Sequence, residues 1–130
     1  MEGLAIPRIV IVDDHDVVRQ GVRHILETQD DWEIAGEAAN GKEALSLVPK
    51  VKPDAIVMDI TMPVMNGLDA TSAIVKAHPD SKILILTMHD RGFLPVVQSS
   101  GAKGMVTKSR VTDELTPALQ AILDGGTYFH

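Results

Sequence analysis

Ala55-Ile56-Val57-Met58-Asp59-Ile60-Thr61-Met62-Pro63 is the stretch that decides the fold. Four apolar residues run into a carboxylate, and Pro63 closes the segment. An apolar run of this length, without polar alternation and bounded by a turn signal, reads as a strand buried on both faces. Asp59 then stands at the carboxyl end of that strand. In an open α/β sheet, ligands bind at this edge, in the crevice where the strand order reverses. Other apolar runs also end in reactive or charged groups. Ile9-Val10-Ile11-Val12 stops at Asp13-Asp14, Lys82-Ile83-Leu84-Ile85-Leu86 at Thr87, and Met105-Val106-Thr107 at Lys108.

Between these runs the period changes. From Asp16, apolar Val18, Val22, Ile25 and Leu26 fall at helical spacing. Glu33–Glu37 reads as a short strand. Asn40 can cap a helix, with Glu43 placed to close a capping box. Ala44, Leu45 and Val48 form the buried face of that helix, and Pro49 is expected to end or kink it. A helix over 66–77 buries Leu68, Thr71 and Ile74. Val111, Leu115, Ala118, Leu119, Ile122 and Leu123 mark a last helix, ended by Gly125-Gly126. Pro117 lies inside it, so either Thr116 caps a helix beginning at Pro117 or one backbone hydrogen bond is lost. Gly92, Pro95, Ser99, Ser100 and Gly101 discourage helix between Thr87 and Lys108, and a short, mobile or partly unwound helix is expected there. Alternating strands and helices imply a parallel sheet covered on both faces. In the strand order 2-1-3-4-5, Asp13, Asp14 and Asp59 converge in one crevice, with Thr87 and Lys108 on its other wall.

The 130 residues fit one domain, and 45% are hydrophobic but only 3% aromatic, so the core is aliphatic. With no Cys, a disulfide framework and a thiolate metal site are both excluded. No apolar run spans a bilayer, the N-terminus lacks signal-peptide character, and a cytoplasmic location is expected. The net charge of −6 argues against this segment gripping nucleic acid by itself.

Three convergent carboxylates repel one another unless they share a cation. Oxygen ligands suit Mg²⁺, with Asp14 and Asp59 as direct ligands, Asp13 acting through water and the Thr61 backbone supplying a further oxygen. A carboxylate so screened can attack phosphorus and form an acyl phosphate, with Lys108 as point charge and Thr87 as hydroxyl donor. Singly, each residue has a plainer reading: Asp13-Asp14 as a turn or cap, Thr87 as a satisfied hydroxyl, Lys108 as a solvated cation. Four such groups at four consecutive strand ends favour a site. The five His residues show no ligand spacing and read as solvated or capping groups, and Met58, Met62, Met65, Met88 and Met105 read as packing residues.

From about Arg8 to Gly126 the chain resembles the receiver domain of two-component response regulators. The carrying motifs are Ile11-Val12-Asp13-Asp14-His15, Val57-Met58-Asp59-Ile60-Thr61-Met62-Pro63-Val64-Met65-Asn66-Gly67, Leu86-Thr87-Met88-His89-Asp90 and Gly101-Ala102-Lys103-Gly104-Met105-Val106-Thr107-Lys108. Asp-Asp-His, Leu-Thr-Met-His-Asp and the tail Gly125–Phe129 are most similar to the LuxR/NarL-type subfamily. The resemblance implies a flavodoxin-like (CheY-like), doubly wound five-stranded parallel sheet with an irregular or shortened fourth helix. It implies Asp59 as phosphoacceptor, Asp13 and Asp14 as the Mg²⁺-binding acidic pair, Thr61 as a backbone ligand, and Thr87 and Lys108 as switch hydroxyl and phosphate-binding lysine. Thr61 and His89 match positions whose side chains tune dephosphorylation. The implied donor is a histidine kinase or a small phosphodonor, and the domain is expected to catalyse only its own phosphorylation and dephosphorylation. In this subfamily a DNA-binding helix-turn-helix domain follows the receiver, and the chain is expected to be one receiver domain without it. Phosphorylation-dependent dimerisation is a family expectation.

Two positions depart from the family pattern. The switch aromatic of the fifth strand is Met105, and the Thr87–Lys108 interval is one residue short, with Pro95 where a fourth helix is expected. From its Gly, Pro and Ser content, the segment 90–101 is expected to form an order–disorder element biased by phosphorylation. Two rival readings stand beside this one. A degenerate receiver would act by partner binding alone. A phosphatase of the haloacid dehalogenase type would need a hydroxyl at the fifth position of its motif, where Asp14-His15-Asp16-Val17-Val18 has none.

Overall fold

The computed structural model describes residues 6–29, 31–88 and 91–129, apart from the Arg91 side chain. Five parallel strands form one sheet: β1 (Arg8–Val12), β2 (Glu33–Ala38), β3 (Ala55–Asp59), β4 (Ile83–Thr87) and β5 (Gly104–Thr107), in the order β2-β1-β3-β4-β5. This is the doubly wound order expected from the alternation of strands and helices. The α-helices are α1 (Asp16–Glu27), α2 (Gly41–Val51), α3 (Gly67–Ala77), α4 (Leu94–Ser99) and α5 (Val111–Leu123).

Strand periodicity sorts the core into two layers. Val10, Val12, Ile56, Met58, Ile83, Ile85 and Met105 face α2, α3 and α4, where Ala44, Val48, Ala70, Ile74 and Val97 are buried. The intervening Ile9, Ile11, Val57, Leu84, Leu86 and Val106 face α1 and α5, meeting Val22, Leu26, Leu115, Leu119 and Ile122. Each central strand is buried on both sides, so its apolar run carries no alternation.

The helix starts differ in how they are held. Asn40 Oδ1 accepts from the Glu43 amide at 2.9 Å, and Glu43 reaches back to the Ala39 amide at 2.9 Å. The returning arm of this capping box therefore lands one residue before the cap. At α3, Asn66 Oδ1 accepts from the Asp69 amide at 2.9 Å. Pro49 does not end α2, which runs on to Val51. It sits in the last turn, where the missing N–H costs one hydrogen bond and little else can be disrupted. Pro117 likewise lies within α5, which starts at Val111, so of the two alternatives the lost bond is the one realised.

The β4–β5 connection is the short helical segment its composition suggests: a 3₁₀ turn over Arg91–Phe93 leads into the six-residue α4. Pro95 sits in its first turn, where no amide partner is needed. Gly101, at φ +95°, turns the chain out of α4 against Val75. Beyond α5 the ordered packing extends past Gly126. The Met105 amide donates to the Tyr128 carbonyl at 2.9 Å, and the Tyr128 amide donates to the Lys103 carbonyl at 2.9 Å. The tail thus covers part of the β5 edge, which would otherwise present unpaired backbone groups. Among the described residues, no helix is long and apolar enough to cross a membrane.

Candidate functional site

The site is built from three strand ends. Continued past the last strand residue, the inside–outside alternation puts Asp13, Asp59 and Lys108 on the same side of the sheet. The side chains meet there. Lys108 Nζ lies 3.0 Å from Asp13 Oδ2 and 3.0 Å from Asp59 Oδ1. Asp13 and Asp59 are buried, and the Lys108 side chain is only 13% exposed. This lysine is therefore not the solvated cation that its place before a helix suggests.

Carboxylate oxygens of Asp13, Asp14 and Asp59 and a ring nitrogen of His15 lie within 4.8 Å of one another. Burial pushes the Asp59 carboxyl above the ordinary carboxylate range. The ion pair with Lys108 opposes that shift, and the charges of Asp13 and Asp14 reinforce it. Burial acts to lower the Lys108 pKa, but its bonds to Asp59 and Asp13 outweigh this and raise it. Lys108 pairs with two of the three carboxylates, and the remaining oxygens show the deficit. Buried Asp59 Oδ2 and Asp14 Oδ1 make no hydrogen bond among the described residues. A buried acceptor without a donor is costly. The donor set therefore fits a divalent cation that prefers oxygen ligands.

Two further residues, invisible as site residues in the sequence, hold the acidic turn. Arg19 of α1 donates to the Asp13 carbonyl and pairs with Asp16, and its Nε lies 3.2 Å from Glu37 Oε1 on β2. His15, read from sequence as solvated or capping, occupies the N-cap position of α1 without a side-chain capping bond. Its Nδ1 instead lies 3.1 Å from Asp14 Oδ1 and 3.3 Å from Asp13 Oδ1. The Arg19 contacts span 6 and 18 residues, so no local spacing announces them.

The loop after Asp59 is folded tightly against it. The Gly67 amide donates to the Ile60 carbonyl at 2.8 Å, and a Cβ on Gly67 would collide with the Asp59 carbonyl. The Met65 amide donates to the Pro63 carbonyl at 2.7 Å, closing a three-residue turn around Val64. Val64 takes φ +68°, a strained conformation for a β-branched residue. Thr61 is exposed in this loop. Thr87 is buried one residue beyond Leu86, the register partner of Asp59. Met105 is also buried, but in the layer beneath α4. His89 lies outside the described residues. Of the methionines read as packing, Met58, Met62 and Met105 are buried, whereas Met88 is 77% exposed just past Thr87, where the chain has left the sheet.

Comparison with known proteins agrees with this geometry. The family model of the response regulator receiver domain matches residues 9–120. The transcriptional regulatory protein DegU of Brevibacillus brevis is 39% identical over 124 residues, covering 95% of this chain and 52% of the relative. The oxygen regulatory protein NreC of Staphylococcus aureus is 45% identical over 123 residues, covering 93% and 57%. A crystal structure of a LuxR-family two-component response regulator from an Aurantimonas species superposes with a TM-score of 0.90 at 40% identity, covering 94% of this chain and 88% of the other. The chain belongs to the response regulator receiver domain family, in its LuxR/NarL-type branch. It is a signalling domain of a two-component system, and it spans about half the length of the curated relatives it matches.

Proposed function

We propose that Asp59 accepts a phosphoryl group from the phosphohistidine of a histidine kinase, or from a small phosphodonor. The observation that carries this is the buried Asp59 Oδ2, left without a hydrogen-bond partner while Oδ1 is engaged by Lys108. In the transfer, an Asp59 oxygen forms the new O–P bond, the donor's N–P bond breaks, and the departing imidazole keeps that electron pair and takes up a proton. Asp14, Asp59 and the Thr61 carbonyl would hold Mg²⁺ directly, with Asp13 bound through water. When bound, the ion neutralises charge on the phosphoryl oxygens. Lys108 exchanges its carboxylate partner for a phosphoryl oxygen and anchors it as a point charge. Thr87, at the end of the neighbouring strand, is the hydroxyl that reports the modification to the β4–α4 segment. Met105, the register partner of Ile85, stands where the family has an aromatic.

The output is transcriptional, through a DNA-binding helix-turn-helix domain beyond this receiver. The matching relatives are transcriptional regulatory proteins of about twice this length, which supports that reading. Intact mass after incubation with acetyl phosphate tests the central claim. One phosphoryl adduct is expected, dependent on Mg²⁺ and absent in Asp59→Ala. No adduct, with no thermal stabilisation by Mg²⁺ and beryllofluoride, would instead support a degenerate receiver.

A further inference from the structure

A ring nitrogen of His15 lies among the carboxylate oxygens of the acidic site. His15 Nδ1 lies 3.1 Å from Asp14 Oδ1, but the two atoms make no hydrogen bond, and that oxygen is buried without another partner. Two cis ligands about 2.1 Å from an octahedral ion lie about 3.0 Å apart, and this separation matches that spacing. A second and independent observation points into the same space. The Asp59 side chain is only 3% exposed, and its Oδ2 has no partner among the described residues. The His15 amide donates to Asp13 Oδ1 at 2.8 Å, which fixes the backbone of the N-cap turn beside the carboxylates. Meanwhile Lys108 occupies Asp13 Oδ2 and Asp59 Oδ1. The buried carboxylate oxygens there that accept no hydrogen bond among the described residues are Asp14 Oδ1 and Asp59 Oδ2, with the His15 nitrogen beside the first.

We propose that His15 Nδ1 is an additional metal ligand, which makes this site select borderline divalent ions such as Co²⁺ over Mg²⁺ more strongly than its carboxylates would. The inference rests on the reading of Asp14 and Asp59 as metal ligands and deepens it. Carboxylate and water ligands suit Mg²⁺, whereas imidazole suits later first-row ions. Removing one imidazole from a mixed site therefore weakens Co²⁺ and leaves Mg²⁺ nearly untouched. The rise in affinity from Mg²⁺ to Co²⁺ common to all such sites cancels when the ratio of the two affinities is compared between variants.

The test is calorimetric titration of the wild type, His15→Ala and Asp59→Ala with Mg²⁺ and with Co²⁺, the Co²⁺ titrations repeated in excess Mg²⁺. A proton NMR search for hyperfine-shifted imidazole resonances in the Co²⁺ form goes with it. His15→Ala is expected to weaken Co²⁺ about ten-fold or more, to change Mg²⁺ less than about two-fold, and to lose the shifted ring resonances. Because the His15 side chain is 66% exposed, its removal leaves the core packing intact. An unchanged ratio, or shifted resonances that persist in His15→Ala, would overturn the inference. If that happened while Mg²⁺ still bound and Asp59 still took a phosphoryl group, the reading of the acidic site would stand without it. If the wild type bound neither ion, or Asp59→Ala bound both as the wild type does, both readings would fall.

Discussion

The connection after β3 and the connection after β4 leave the same edge of the sheet on adjacent strands, and they are held in different ways. After β3, the chain turns back on itself within a few residues. Gly67 lies against the Asp59 carbonyl, the Asn66 side chain caps α3, and the Gly41 amide donates to the Met65 carbonyl at 3.0 Å from a second helix. After β4, a 3₁₀ turn leads into six residues of helix with no side-chain capping bond, and Val97 is the one residue within α4 that is fully buried. Met88 and Val96 stay exposed. Backbone bonds and steric exclusion determine where Asp59 sits, whereas α4 rests on few contacts. A domain that must receive a group at a fixed point and transmit a change elsewhere needs both kinds of connection, since moving elements come from the low-stability end of a fold.

The comparison breaks first at Gly67. Gly67→Ala is expected to cost about 3 kcal/mol, because the new methyl meets backbone that cannot move without displacing Asp59. Urea unfolding reads this, and a loss under about 1 kcal/mol would mean that the loop is not held as described.

Amide exchange sharpens the contrast. In the unmodified protein, amides of 94–99 should exchange with an opening free energy about 2 kcal/mol below that of the α3 amides. Beryllofluoride with Mg²⁺ should narrow the gap. Identical strong protection in both states would remove the order–disorder account of this segment.

The cap is a smaller test. Asn66→Ala should lower stability by about 1 kcal/mol.

The smallest effect concerns charge. In metal-free protein the folded pKa of Asp59 lies above its unfolded value, 3.8. The Asp59 contribution to stability is therefore fully present below that value and is lost as pH rises through the folded pKa. Asp59→Asn should raise the melting temperature at pH 7 by a few degrees, and the difference should shrink as pH falls toward 4. A lower melting temperature at pH 7 would mean that the pairing with Lys108 outweighs burial.

The sequence and the structure divide this account along physical lines. Buried apolar runs, helical spacing and capping residues are local signals, and they suffice for the five strands, the helix starts at Asn40 and Asn66, and the parallel order. Strand ends and the strand order carry Asp13 and Asp59 to one crevice with Lys108 on its wall, so the charged heart of the site was legible too. The lost bond at Pro117 could be stated only as an alternative, because a mid-helix proline is tolerated when packing on both sides outweighs it. Pro49 did not end its helix for a different reason, since it sits in the last turn, where one lost bond disrupts little. The bond from Arg19 to Glu37 and the tail covering β5 had no local signal, since each joins residues whose meeting depends on how α1, β2 and β5 pack. What the sequence determined by itself was which residues end strands and which begin helices, because backbone hydrogen bonding and side-chain burial act over a few residues. What only the tertiary structure decided was which oxygens Lys108 satisfies and which it leaves bare, because that depends on ångström-scale separations across three strands.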